Sequence, residues 1–258
     1  MTIGKKSQEV LETYLGLPYF NNRRKKVRGG LRVSKGKGTP AEIAEEAEIQ
    51  AMQSRVDIKS MPKDLYKKFL VEHDLGVDCS GFAYHLIDAI TSENGLGHLK
   101  NHLVFPNGNF IRHILTRLRP AENAGVSVFR DDKNSSPINP RESQPGDIII
   151  FMGTGKDKTY NHILVIIGVD KTGDNTVISY AHSYAWPSDG LYNHGVRTGE
   201  ILLKNTDTTN DILGAEWIEQ GATGELNYTY HSARNATEVT VRRLNGFAKI
   251  AQSAKIAS

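Results

Sequence analysis

The sequence predicts a single α+β domain, and three observations carry that expectation. An apolar pattern of helical spacing (Phe82, Ala83, Leu86, Ile87 and Ile90) follows Asp78-Cys79-Ser80-Gly81 and is stopped by Asn94-Gly95. Two apolar runs, 162–169 (HILVIIGV) and 176–183 (TVISYAHS), flank a turn-rich segment of hairpin length at 170–174. At 258 residues and 38% hydrophobic, the chain is long enough to bury a substantial core.

Cys79 is the only cysteine, so it has no internal disulfide partner. Packing, metal ligation and nucleophilic chemistry are its remaining roles. It stands at or just before the start of the predicted helix, where unpaired N–H groups and the helix dipole favour a thiolate. A small buried hydrophobe is the alternative reading.

A thiol nucleophile needs a base, and the base needs an orienter. Nine histidines make composition uninformative, so position has to decide. Pairing Val169 with Asn175 in the predicted hairpin sets His162 opposite His182 on one face of the sheet. A slip of one residue would send one ring to the other face. Cys79 as nucleophile, His162 as base and His182 as orienter then form a complete relay. In that relay His182 is neutral and accepts a hydrogen bond from His162, which fixes the tautomer. A core or edge histidine is the alternative for each ring.

Five blocks in this order resemble the NlpC/P60 cysteine peptidases: Leu15-Gly16-Leu17-Pro18-Tyr19, DCSGF at 78–82, QPGDIIIF at 144–151, NHILVIIG at 161–168 and YAHS at 180–183. The related lecithin-retinol acyltransferase group usually has its His before the Cys, which argues against that branch. The resemblance implies a papain-like fold in which the Cys-bearing helix packs on a small antiparallel sheet. It also implies cleavage of peptidoglycan stem peptides, typically between D-γ-glutamate and a diamino acid. Tyr19, Asp78 and Ser80 are implied as substrate-binding residues that hold a free amine. A carboxylate and a hydroxyl beside the nucleophile suit an ammonium group. Capping of the helix is the alternative role for Asp78 and Ser80.

The chain departs from that pattern between Tyr19 and Cys79, which lie sixty residues apart. The segment at about 23–74 is read as a helical insertion lying over the cleft. It opens on a basic run at 23–30. Thr39-Pro40-Ala41-Glu42 then starts an acidic helix running to about Ser54, with a capping Thr, Pro at the first position and Glu at the third. A second helix begins after Ser60 and runs through Leu65, Phe69 and Leu70. Further on, about 199–247 is expected to complete the sheet, with Val239-Thr240-Val241 as a last strand. Trp217 and Tyr228 are read there as packing residues.

Charge and composition exclude more than they assign. Residues 1–40 hold ten Lys and Arg against Glu9 and Glu12, so a net +8 sits in a chain of net +3 and the remainder carries −5. The basic run is read as a solvated loop, with contact to an anionic polymer as its functional alternative. It has no interleaved aromatics, so a dedicated nucleic-acid module is rejected. No stretch approaches the ~20 apolar residues of a membrane span. The N-terminus has no signal-like apolar run, so a cytoplasmic setting is expected. No cofactor or metal is expected: His98 and His102 lack the Glu of a metalloprotease motif, and the glycines near 29–38 lack the order of a phosphate loop. The remaining rivals keep the same relay on a non-murein amide, as an amidase, deconjugase or acyltransferase, or make the fold a silent binding module.

Overall fold

The helix that carries Cys79 sets the layout. It runs Cys79–Glu93 (α4), opened by the Asp78 side chain, which accepts the Gly81 N–H at 2.7 Å. Its apolar face (Phe82, Ala83, Leu86, Ile87 and Ile90) is buried in the main core. Full burial of a Phe or Leu side chain stabilises by about 2–3 kcal/mol, so this face alone commits the helix to the sheet. The computed structural model describes residues 1–22, 32–106, 114, 116–173, 175–204 and 212–247. The basic run 23–30 and Asp174 lie outside them.

Among the described residues one eight-stranded sheet forms, in the order β1-β8-β2-β3-β4-β5-β6-β7, with every pairing antiparallel. The strands are β1 (Ser135–Pro137), β2 (Ile148–Thr154), β3 (Tyr160–Thr172), β4 (Asn175–Tyr184), β5 (Gly195–Leu203), β6 (Glu216–Glu219), β7 (Ala222–Thr223) and β8 (Glu238–Leu244). Alternation along the strands gives each face its own core. Ile148, Ile150, Ile163, Val165 and Ala181 pack with α4. Ile149, Phe151, Leu164, Ile166, Tyr180, Trp217 and Val241 form a second cluster with Ala233 of α5 (Tyr228–Arg234). The molecule is therefore mixed helix and antiparallel sheet, with the C-terminal strands β5 to β8 extending both sides of the β2–β3–β4 centre.

The helices at the N-terminal side follow their caps. α1 (Lys5–Tyr14) lacks a cap of its own, and Glu93 at the end of α4 supplies one: it accepts the Lys6 and Ser7 N–H groups at 2.9 and 3.1 Å. α2 (Pro40–Ser54) carries the full capping box, with Thr39 accepting Glu42 N–H and Glu42 accepting Thr39 N–H. α3 spans Lys63–Glu72. Neither α2 nor α3 contributes a residue to the cleft beside His162. The expectation that these helices lie over the cleft is therefore corrected. Their apolar sides (Ile43, Ala47, Ala51, Phe69 and Leu70) join the main core instead. No described helix is long and apolar enough to cross a membrane.

The β3–β4 hairpin differs from the expected register. Thr172 faces Asn175 and Val169 faces Ile178, so the turn is tighter than expected and the ladder is shifted by three residues. An odd shift reverses side-chain parity and would part the two histidine rings. A bulge between Ile166 and Gly168 takes one residue back, so that Ile166 faces Tyr180 and Val165 faces Ala181. The net shift is even, and His162 and His182 regain a common face as diagonal neighbours. The N-terminal residues hold the bulge: Ile3 N–H donates to Ile167 O at 2.8 Å, and Thr2 bridges Gly168.

Candidate active site

Cys79 is the first residue of α4 and only 6% exposed. The Ser80 and Ile163 N–H groups point at its sulfur, which sets it beside the residue that follows His162. Burial, with the Asp78 charge, pushes the thiol up to about 12, against a downward pull from Lys37. The helix terminus on its own favours a thiolate. Here desolvation wins, and the resting group is a neutral thiol.

His162 is the third residue of β3 and is buried. Its Nε2 lies 2.7 Å from Nδ1 of His182 on β4. The Tyr184 ring lies against it, tilted by 32°, at 4.3 Å between centroids. Burial holds His162 well below the usual imidazole range, and the neighbouring His182 adds to the effect. His162 is therefore a neutral imidazole at ordinary pH.

Behind His182 stands a residue that sequence reasoning missed. Glu219, the last residue of β6, lies 3.1 and 3.2 Å from His182 Nε2 through its two oxygens, and both side chains are 0% exposed. Tyr180 donates its hydroxyl to Glu219 at 2.7 Å. Burial pushes the Glu219 carboxyl up, but His182, Tyr180 and Arg197 more than offset this, and it is held below the usual carboxylate range. An ionised carboxylate only accepts, so His182 carries its proton on Nε2. His182 Nδ1 then accepts from His162 Nε2–H, and His162 Nδ1 is left as a bare lone pair. The available signal was the alternation in Glu216-Trp217-Ile218-Glu219, which puts Glu219 on the same inward face as buried Trp217.

The motif residues around the thiol are already engaged. Lys37 Nζ lies 2.9 Å from Asp78 Oδ1 and donates to Ser80 Oγ, and all three residues are buried. Ser80 Oγ donates to Asp78 at 3.2 Å. Asp78 thus caps α4 and holds an internal ammonium together. Gly81 makes this approach feasible, since a Cβ there would fall 2.5 Å from Gly36 O. Tyr19 reaches the same place despite its distance in sequence: it bridges Val77, and Val77 N–H donates to Pro18 O at 3.0 Å. Lys37 bridges Val77 too, so Tyr19 and Lys37 both sit beside the Cys motif.

A cleft of about 640 Å³ opens beside His162, lined by Tyr19, Asn21, Tyr160, Asn161, Tyr184 and Tyr228 among others. Tyr228, read from sequence as packing, therefore faces the cleft, while Trp217 is buried as expected. The Tyr19 and Tyr184 phenols lie close enough to Cys79 for a charge on its sulfur to oppose their own ionisation. Among the described residues no group of three or more His, Cys, Asp or Glu side chains is arranged to hold a metal ion. Comparison of the chain with protein-family models, with curated proteins and with solved structures finds no match in any of the three.

Proposed function

We propose that this chain is a thiol hydrolase that cleaves an amide bond through an acyl-enzyme on Cys79. One arrangement carries the reading: a buried file of His162, His182 and Glu219, in which the residue after His162, Ile163, has its backbone beside the sulfur of the chain's single cysteine. His162 Nδ1 takes the thiol proton as sulfur attacks the carbonyl, because a thiol ionising near 12 supplies little free thiolate at neutral pH. His162 then returns that proton to the leaving amine. The Cys79 N–H at the start of α4 helps to hold the oxyanion. Water, activated by the same ring, releases the acyl group.

The papain-like NlpC/P60 reading names the substrate class: peptidoglycan stem peptides cut between D-γ-glutamate and a diamino acid. Its support is the order of the sequence blocks and the antiparallel sheet packed on a Cys-bearing helix. A reducing compartment such as the cytoplasm suits the free thiol. Incubation of purified stem peptides beside unrelated isopeptides, with mass readout, tests the substrate. Release of a D-γ-glutamyl product supports it, and cleavage confined to the isopeptides removes it. Cys79→Ala should abolish turnover while leaving the far-UV spectrum and melting temperature within a few degrees of wild type. Turnover near wild type in that variant ends the proposal.

A second reading has its own support. Lys37 already engages both Asp78 and Ser80, the groups that a substrate amine would use. That favours an amidase or deconjugase whose substrate presents no free amine at this position.

A further inference from the structure

We propose that Glu219 is a positioning residue for the relay, acting through His182 to leave Nδ1 of His162 bare and to balance the imidazolium formed during attack. The inference rests on the hydrolase reading and adds a member to it. A neutral imidazole as third group fixes a ring less firmly than a carboxylate and offsets less positive charge. In this protein the carboxylate stands one place further back.

The groups facing Glu219 decide between this role and a structural ion pair. From β4 come Tyr180, which donates at 2.7 Å, and His182, at 3.1 and 3.2 Å. The Tyr184 phenol on the same strand feels the Glu219 charge. From β5 comes Arg197, whose Nε stays 3.7 Å away. That Nε makes no hydrogen bond among the described residues, and the guanidinium instead engages Asp189 and lies 5.0 Å over the Trp186 ring. The hydrogen bonds of Glu219 therefore go to the histidine file and to Tyr180, not to the nearest cation. The backbone makes room for this: a Cβ on Gly199 would lie 2.4 Å from the Tyr180 hydroxyl that reaches Glu219.

The test reads ring protonation directly. Two-bond proton–nitrogen spectra of the 15N-labelled chain are expected to show both His162 and His182 protonated at Nε2 and bare at Nδ1. In Glu219→Gln the carboxamide can offer either a donor or an acceptor, so the tautomers should mix. Alkylation of Cys79 by iodoacetamide at pH 7 should then fall about tenfold, roughly 1.4 kcal/mol. Glu219→Asp keeps the acceptor and should restore the wild-type tautomers, a rescue that a space-filling role does not require. Wild-type spectra with His182 protonated at Nδ1 overturn the inference. So does a folded Glu219→Gln chain with wild-type tautomers and alkylation rate. Failure of the hydrolase reading shows elsewhere, as undiminished turnover in Cys79→Ala.

Discussion

At the scale of single residues the site is a balance between burial and local charge. Cys79 has the helix terminus and Lys37 on one side, and desolvation with Asp78 on the other, and the second pair prevails. His162 is held low by the same burial, so sulfur and ring both rest neutral, and in the proposed mechanism the proton moves only when a substrate arrives. Activity should therefore persist on the acid side of the usual imidazole range, because the base stays unprotonated there. A kcat/KM profile that falls through an acid limb at about 6.5, the unperturbed histidine value, would contradict this. Lys37 is the other residue-level dependency. Lys37→Met removes the cation from buried Asp78, and breaking a buried pair in this way costs about 3 kcal/mol or more. Urea denaturation measures the loss. A variant as stable as wild type would show that the Asp78 charge is compensated elsewhere.

At the scale of elements, positioning depends on a few local devices. The Thr39–Glu42 capping box, the Asp78 cap and the apolar face of α4 were legible in sequence because each is a short-range pattern. The pairing of His162 with His182 was legible as an outcome but not as a register. A tighter turn and a bulge shift the ladder by three residues and then back by one, and nothing in HILVIIGV announces an extra residue at Ile167. Glu219 was out of reach because it arrives on a four-residue strand, 37 residues beyond His182. Lys37 was hidden for a similar reason, since it meets Asp78 across 41 residues through a bridge to Val77. These elements also give a prediction. Gly199→Ala on β5 should push Tyr180 off Glu219 and destabilise by about 1–3 kcal/mol, as overpacking does. The same change should slow turnover. Wild-type stability and rate in that variant would mean that the Tyr180–Glu219 contact is dispensable.

For the whole molecule, the cost of a buried site appears as pH-dependent stability. His162 and His85 are both held below the unfolded imidazole value, chiefly by burial. The unfolded chain therefore binds these protons first. Their contribution is fully present above about pH 6.5 and is lost as pH falls below it, at up to ~2.7 kcal/mol per unit for the two together. Glu219, held below its usual range, adds a further loss once pH falls under about 4.5. Denaturant midpoints measured from pH 8 to pH 5 should drop below pH 6.5. A flat series would show that neither ring stays buried and neutral.

The relay itself is tested most directly by the pH dependence of Cys79 alkylation in the wild-type chain beside His162→Ala. A thiol helped by a neutral imidazole reacts at a nearly constant rate between pH 7 and 9, whereas an unassisted thiol ionising near 12 speeds up about tenfold with each unit. The flat profile is expected for wild type and the steep one for His162→Ala. Two steep, superimposable profiles would contradict the claim that His162 serves Cys79.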